Sequence, residues 1–518
     1  MNKIIHCSKE YLYLPVQRQR EEKCLEIFSV EEDSREIKIM EFMIPQEMEE
    51  KEESAIDYSV RLPVKQFTGK TLLLKGDFKE SFAEGIFNDT FLSAASLRRP
   101  SIHFTAERGW INDPNGLIFH NGIYHLYYQY NPCNTEWNNM CWGHAISRDL
   151  LFWEHQDLVL MPDSEGMMFS GSAISNGRGM LGLPEDAILY FYTAAGGVTK
   201  WSKEKPFTQK LAYSLDGGYT LTKTEAGKLN TIAKENRDPK VFWHEESGAY
   251  IMSLWLEGNE FALLRSKELL NWELTDRLNF EGAWECPDLF QVKDEEGHKL
   301  WVFWCADGYY YLGTFDGYHF TSEGIRHHAY INTLPYAAQT FSGISDRVVS
   351  VSWLRTTARK ELYTGAMGVP RELKLFWNQG QPVLAQPLVR ELSACVKEVD
   401  GDLIKKGLPE EYHYQWEAAQ AVLVEMLLGC NGEAVTEWMI GKDRISYDKD
   451  SGLLMVMGVE YAIGAGLKDF TFLLDDVIFE VTANHDIILG IFELTEPVTS
   501  ISAKPEQFKE YRVYQLEG

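Results

Sequence analysis

Two segments of this chain are written to one pattern. Ser147-Arg-Asp-Leu-Leu-Phe-Trp153 matches Ser266-Lys-Glu-Leu-Leu-Asn-Trp272. Ser214-Leu-Asp-Gly-Gly-Tyr-Thr220 and Phe315-Asp-Gly-Tyr-His-Phe320 fall in comparable slots, so successive markers lie 67, 52 and 49 residues apart. Strand-like runs bounded by turn residues fill the intervals, among them Ile123–Gln129, Ile188–Tyr192, Tyr250–Trp255 and Leu300–Cys305, and long helical periodicity is scarce. A repeat on the order of 50 residues built from short strands is the signature of propeller blades. The expected fold is therefore all-β, with a five-bladed β-propeller over residues 99–375.

At 518 residues the chain exceeds one ordinary core. Residues 1–98 read as a small β domain of short strands, Val64–Phe67 and Leu72–Leu74 among them, around an acidic loop at Glu47–Glu53. Residues 385–518 carry strand signals at Ala421–Leu428, Leu453–Gly458, Phe470–Leu474, Val477–Val481 and Ile487–Phe492, which fit a β-sandwich. The turn-rich stretch Asn378–Pro382 marks the expected boundary.

The formal net charge of −27 repels phosphate backbones and anionic lipid, so nucleic acid and membrane are poor partners and a neutral small molecule is the easier one. The eight cysteines form no Cys-x-x-Cys pair, which argues against zinc. Free thiols, no apolar leader-like run and no membrane-length apolar run make the cytoplasm the expected address. Self-association is compatible with the chain, although no feature defines an interface.

Three acidic motifs carry the chemistry. Gly109-Trp-Ile-Asn-Asp-Pro-Asn-Gly116 reads as a turn ahead of a hairpin whose tip is Asn121-Gly122. Taken alone, N-D-P-N-G is ordinary turn composition. In context Asp113 is a candidate nucleophile, Asn112 can orient it and bind hydroxyls, and the Trp110 indole suits the apolar face of a sugar. In Asn236-Arg-Asp-Pro239, Arg237 is expected to hold Asp238 ionised, ready to stabilise a developing cation. In Trp284-Glu-Cys-Pro-Asp288, Glu285 lies between apolar neighbours that would raise its pKa, as a general acid needs; Asp288 is the competing acid. Asp113, Asp238 and Glu285 precede their markers by 34, 28 and 30 residues. They thus share a phase near the first, axial strand of separate blades, where they can converge at one mouth of the channel.

Together, Trp110–Gly116, Phe169-Ser-Gly-Ser172, Arg237-Asp-Pro239 and Glu285-Cys286 resemble glycoside hydrolase family 32, the invertase, inulinase and levanase family. Tyr128–Pro132, Trp142-Gly-His144, Tyr336–Phe341 and Pro370-Arg-Glu372 match as well. The resemblance implies a five-bladed propeller followed by a β-sandwich and retention of configuration through a covalent fructosyl-enzyme, with no metal or organic cofactor. It makes Asp113 the nucleophile, Glu285 the acid/base and Asp238 the transition-state stabiliser. It makes Asn112, Gln129, Trp137, Phe169, Ser170, Arg237 and Trp353 sugar-binding, Trp353 being equally readable as a core residue of the strand Val348–Leu354.

Two departures stand out. Trp137-Asn-Asn-Met-Cys-Trp142 replaces the usual W-G-N-M-H-W, and Ile331–Pro335 lacks the common D-Y-G lead-in. Tyr11–Pro15 and Phe67–Lys70 are similar to the extra β domain ahead of some levanase-like members. The expected activity is exo-acting release of fructose from fructo-oligosaccharides or sucrose. The alternatives are a fructosyltransferase, in which a sugar replaces water, and a catalytically silent carbohydrate-binding propeller.

Overall fold

The computed structural model describes residues 1–518 except 47–55, 94–96, 230, 358–361, 401–411, 418–419, 430–432 and 518. The acidic run Glu47–Glu53 and Cys430 lie outside the described residues. Five consecutive antiparallel sheets occupy the middle of the chain. Blade 1 runs Gly109–His120, Ile123–Asn131, Cys141–Ser147 and Glu154–His155. Blade 2 runs Met167–Ser175, Ile188–Ala195, Phe207–Ser214 and Thr222–Leu229. Blade 3 runs Arg237–His244, Ala249–Glu257, Glu260–Ser266 and Glu273–Asn279. Blade 4 runs Asp288–Lys293, Lys299–Trp304, Tyr309–Phe315 and Phe320–His328. Blade 5 runs Pro335–Thr340, Val348–Leu354, Arg371–Asn378 and Gln381–Ala385. Blade 5 meets blade 1 through the bond from the Phe119 amide to the Ser342 carbonyl (2.9 Å) and through the parallel pairing of Tyr363–Thr364 with Gly109–Trp110.

Each repeated marker forms the turn between the third and fourth strands of its blade. Asp149 accepts the Leu151 and Phe152 amides (2.9 Å each), Asp216 accepts the Tyr219 and Thr220 amides, and Asp316 accepts the His319 amide at 2.7 Å. In blade 3 the Ser266 hydroxyl takes the Leu269 amide at 2.9 Å. The repeated words are therefore Asx- and Ser-turn chemistry recurring at one structural position.

Three local expectations are corrected. Gly109–Gly116 is not a turn: it is the first half of the innermost strand Gly109–His120, with register breaks between Ile111 and Pro114 and between Asn115 and Ile118. Proline and glycine here mark bulges. Gly116, at φ +52°, leaves no room for a Cβ, which would lie 2.8 Å from the Tyr127 ring. Asn378–Pro382 is not a domain boundary but the hairpin tip of blade 5, which extends to Ala385. Val64–Phe67 is a 3-10 turn over Lys65–Phe67 following the strand Tyr58–Pro63, because the chain there reverses with Thr68 capping the Lys65 carbonyl.

Ahead of the blades lie a four-stranded sheet (Asn2–His6, Thr71–Gly76, Glu22–Val30, Glu36–Pro45) and a three-stranded one (Tyr58–Pro63, Tyr11–Val16, Phe87–Asp89). They share an apolar core of Leu14, Leu25, Phe42, Leu62 and Leu74, which also takes in Cys133 and Cys141 of blade 1. After the blades, two six-stranded sheets enclose a core around Trp438, Phe470, Phe472 and Phe479. Among the described residues no helix is long and apolar enough to cross a membrane.

Candidate active site

A cavity of about 820 Å³ opens at one end of the inner strands. Asp113 comes from blade 1, Asp238 from blade 3, and Glu285 from the segment leading into blade 4, and all three line it. Four inner strands lose their regular register beside a site residue: Ile111/Pro114 at Asp113, Phe169/Gly171 at Ser170, Arg237/Lys240 at Asp238, and Tyr336/Gln339 at Tyr336. A bulge re-aims a side chain that regular alternation would send into the blade. Backbone strain accompanies this aim, since Asp238 (φ 65°), Glu285 (φ 45°) and Cys286 (φ 39°) sit in the left-handed region that disfavours side-chain-bearing residues.

The acids are linked. The Ser170 hydroxyl donates to Asp113 Oδ2 at 2.6 Å. The Cys286 thiol lies 3.5 Å from both Asp113 Oδ2 and Asp238 Oδ2, and the Cys286 amide donates to Asp238 Oδ2 at 3.2 Å. Arg237 donates from Nε (3.0 Å) and Nη2 (2.5 Å) to Glu285 Oε1, while the Tyr336 hydroxyl donates to Glu285 Oε2 at 2.8 Å. The guanidinium rests 3.9 Å above the Trp255 ring.

Two electrostatic expectations change here. Arg237 favours the ionised form of Asp238 only from a distance: it spends its short contacts on Glu285 and comes no closer than 4.0 Å to Asp238. Burial outweighs that attraction, the Glu285 and Asp113 charges add to it, and Asp238 is pushed up to about 7. Nor is Glu285 held in an apolar setting; both its oxygens are hydrogen-bonded, and the neighbouring Trp284 is exposed. Burial likewise raises Asp113 above the usual carboxylate range, against the Ser170 hydrogen bond and with the Glu285 charge. Burial, then the Asp113 and Asp238 charges, drives the Cys286 thiol upward, which keeps it a donor.

Asn112, Gln129, Trp137, Phe169, Ser170, Arg237 and Trp353 also line the cavity. Gln129 is fixed by donation to the Met168 carbonyl (2.8 Å), and Trp137 stands edge-on to Phe169 at 6.0 Å. Trp353 lies between Trp110 (5.8 Å) and Tyr336 (6.1 Å), so it is at once a packed and a cavity-facing residue. Trp110 is the exception. It does not line the cavity, and its indole N–H donates to Asn112 Oδ1 at 3.0 Å. It supports the amide that reaches the cavity, with its ring packed edge-on against Trp353.

Asp288 is removed from contention: it is buried behind the cavity, where Oδ2 accepts the Thr340 amide and hydroxyl (2.8 Å each) and pairs with Lys240 at 3.0 Å. Sequence reasoning missed Tyr336 as a partner of Glu285, although it stands in the matched motif Tyr336–Phe341. It also missed Lys205, Phe207 and Lys234, which line the cavity from segments without a motif. Among the described residues the one grouping with metal-ligand character, Asp294, Glu296 and His298, lies outside this cavity, with Asp294 already bonded to His298 (2.7 Å) and Trp377 (2.9 Å).

Residues 103–387, more than half of the chain, match the glycosyl hydrolases family 32 N-terminal domain. The chain belongs to glycosyl hydrolase family 32. It is 34% identical over 356 residues to a levanase of Bacillus subtilis, an alignment that takes in 62% of this chain and 50% of that protein. It spans about half to just under two thirds of the length of the curated relatives it matches. The crystal structure of an exo-inulinase from Aspergillus awamori superposes with a TM-score of 0.73 at 22% identity, covering 82% of this chain and 100% of that one. A glycoside hydrolase family 32 structure from Bifidobacterium adolescentis covers 100% of this chain and 99% of its own, with a TM-score of 0.67 at 17% identity. The propeller-plus-sandwich architecture is thus shared with solved members of the family.

Proposed function

We propose that the chain is a retaining exo-β-fructosidase that releases fructose from the non-reducing end of fructo-oligosaccharides or sucrose. The observation that carries this reading is the meeting in one cavity of Asp113 from blade 1, Asp238 from blade 3 and Glu285 from the segment leading into blade 4. Two carboxyl groups flanking one bond are the minimum for retaining glycoside hydrolysis, and a third can stabilise the oxocarbenium-like transition state. Asp113 attacks the fructosyl C2 while Glu285 gives its proton to the departing glycosidic oxygen. Water then attacks C2, Glu285 takes the proton back, and the Asp113 ester bond breaks. Asp238 hydrogen-bonds ring hydroxyls throughout. The protein's own donors do not offset its burial, and sugar hydroxyls add donors that favour the ionised form.

Trp137, Phe169 and Phe207 offer aromatic surface for a sugar face. Similarity to a levanase and an exo-inulinase supports a fructan-type substrate. The seven described cysteines are unpaired thiols, which supports a reducing compartment as the place of action. The test is fructose release from a panel of sucrose, 1-kestose, and inulin and levan oligosaccharides. Release from none of them replaces the hydrolase by a sugar-binding propeller, and oligosaccharide growth at high sucrose replaces hydrolysis by transfer.

A further inference from the structure

The segment 132–140, between the second and third strands of blade 1, makes no strand ladder of its own and carries Trp137 to the rim of the cavity. Trp137 is 47% exposed, so little packing fixes its ring. The propeller holds the segment through Asn131, which donates to the Glu136 carbonyl (2.8 Å), and Thr364, which donates to the Thr135 carbonyl (2.8 Å); the side chains on either side of Trp137 are held from the N-terminal sheets. Glu22 accepts from Asn134 Nδ2 on one carboxylate oxygen (2.8 Å) and from Asn138 Nδ2 on the other (2.7 Å), straddling Trp137. Asn139, at φ 48°, exchanges two hydrogen bonds with the Met43 main chain (2.7 and 2.8 Å). The two residues that depart from the family's W-G-N-M-H-W both serve this contact. Asn138 stands where glycine is usual and supplies the amide that Glu22 holds. Cys141 stands where histidine is usual and is buried in the N-terminal core cluster. A second cavity-lining turn, 196–206, is touched from the same side, with Lys38 Nζ 4.9 Å over the Trp201 ring.

We propose that Glu22 is a positioning residue: by clamping Asn134 and Asn138 it sets where Trp137 stands, so the N-terminal domain takes part in holding the sugar. This rests on the β-fructosidase reading above. A carboxylate that accepts one amide on each oxygen is a charge-assisted bridge whose geometry neither an alanine nor a single amide reproduces. Its loss leaves the acids in place and frees the rim, which weakens binding without touching the bond-breaking step.

The experiment uses the full chain, with Glu22→Ala and, because it alters only the rim side of the bridge, Asn138→Gly. Kinetics on sucrose and 1-kestose are combined with hydrogen–deuterium exchange. Both variants are expected to raise KM about tenfold with kcat within about twofold of wild type, the pattern of lost uniform binding. Exchange should rise in 132–140 and not in the blades. Adding Glu22→Ala to Trp137→Ala should change KM no further. KM within about twofold of wild type overturns the proposal, as does a parallel fall of kcat and Tm in both variants, which denotes mere structural damage. If the wild-type chain releases no fructose from any fructoside, the hydrolase reading fails by itself. Exchange in 132–140 then still decides whether Glu22 holds the rim: unchanged exchange in both variants refutes it.

Discussion

Two buried ionisable clusters of this molecule are built in opposite ways. One is the cavity group of Asp113, Asp238, Glu285 and Arg237. The other sits where the propeller meets the C-terminal sheets. There His103 donates from Nδ1 to Asp475 (2.9 Å) and from Nε2 to Glu480 (3.1 Å), and Arg371 pairs with Glu480 on its other oxygen. Asp475 also accepts the Ser101, Ile102 and His103 amides at 2.7, 2.9 and 3.1 Å. Two acids face two cations, and the pKa values move apart. Despite burial, hydrogen bonding to the two acids lifts His103 to about 9, and Arg371 and His103 hold Glu480 at about 2. In the cavity three acids share one guanidinium, and burial wins, raising Asp113 and carrying Asp238 to about 7. A satisfied cluster fastens domains; an under-satisfied one is left wanting donors, which a polyhydroxylated ligand can bring.

The widest separation between the clusters should appear in catalysis. Asp113→Asn is expected to lower kcat by roughly 10⁴-fold or more, because the amide cannot form the covalent intermediate. The fold should be retained, since Ser170 can still donate to the amide oxygen. Steady-state fructose release with a thermal melt checks both, and activity within about tenfold of wild type would remove Asp113 from the nucleophile's role.

Breaking the other cluster should act on stability instead. His103→Ala leaves two buried carboxylates facing one arginine, and removing one member of a buried charge network costs about 3–5 kcal/mol. The pH dependence follows from the same shifts. The stabilisation from the lowered Glu480 is present above about 4.5 and lost as pH falls toward 2. The stabilisation from the raised His103 is present below about 6.5 and lost as pH rises through 9. Denaturant midpoints should therefore be highest between these limits, and the decline from pH 6.5 to 9 should shrink in His103→Ala. An unchanged slope would show that His103 is not the group responsible.

Asp238 sharpens the contrast, because there function and stability pull apart. Its pKa is raised on folding, so the ionised form opposes folding: the penalty is absent below the unfolded value near 3.9 and grows as pH rises to about 7. Asp238→Asn should therefore melt higher than wild type at pH 8 and alike at pH 4, while losing most of its activity. A lower Tm at pH 8 would mean that Asp238 is ionised and paired in the folded chain.

The legibility of the chain divides along the same line. The blade repeat could be read because each marker is local turn chemistry, as at Asp149, Asp216 and Asp316, and the axial phase of the three acids followed from it. Trp110 and the charge state of Asp238 could not. Neighbours in sequence suggested that Arg237 serves Asp238 and that Trp110 faces a sugar. Contacts beyond the local letters decide both: Trp110 bonds Asn112 and packs on Trp353 of blade 5, and Arg237 gives its short contacts to Glu285, 48 residues on. The His103 network escaped for a related reason: Asp475 and Glu480 are more than 370 residues away from it in sequence.

The smallest effect concerns Tyr336, whose hydroxyl and Arg237 hold the two oxygens of Glu285. Tyr336→Phe removes one neutral donor of 2.8 Å and leaves the ring against Trp353. A hydrogen bond to a charged group is worth about 1.5–3 kcal/mol, and water entering the open cavity should restore part of it. The expected loss in kcat is about tenfold, with KM nearly unchanged because the hydroxyl is bonded to the acid. A rise in KM with kcat unchanged would place the hydroxyl on the substrate, and Glu285 would then depend on Arg237 alone, which makes the cavity cluster still less satisfied than its counterpart around His103.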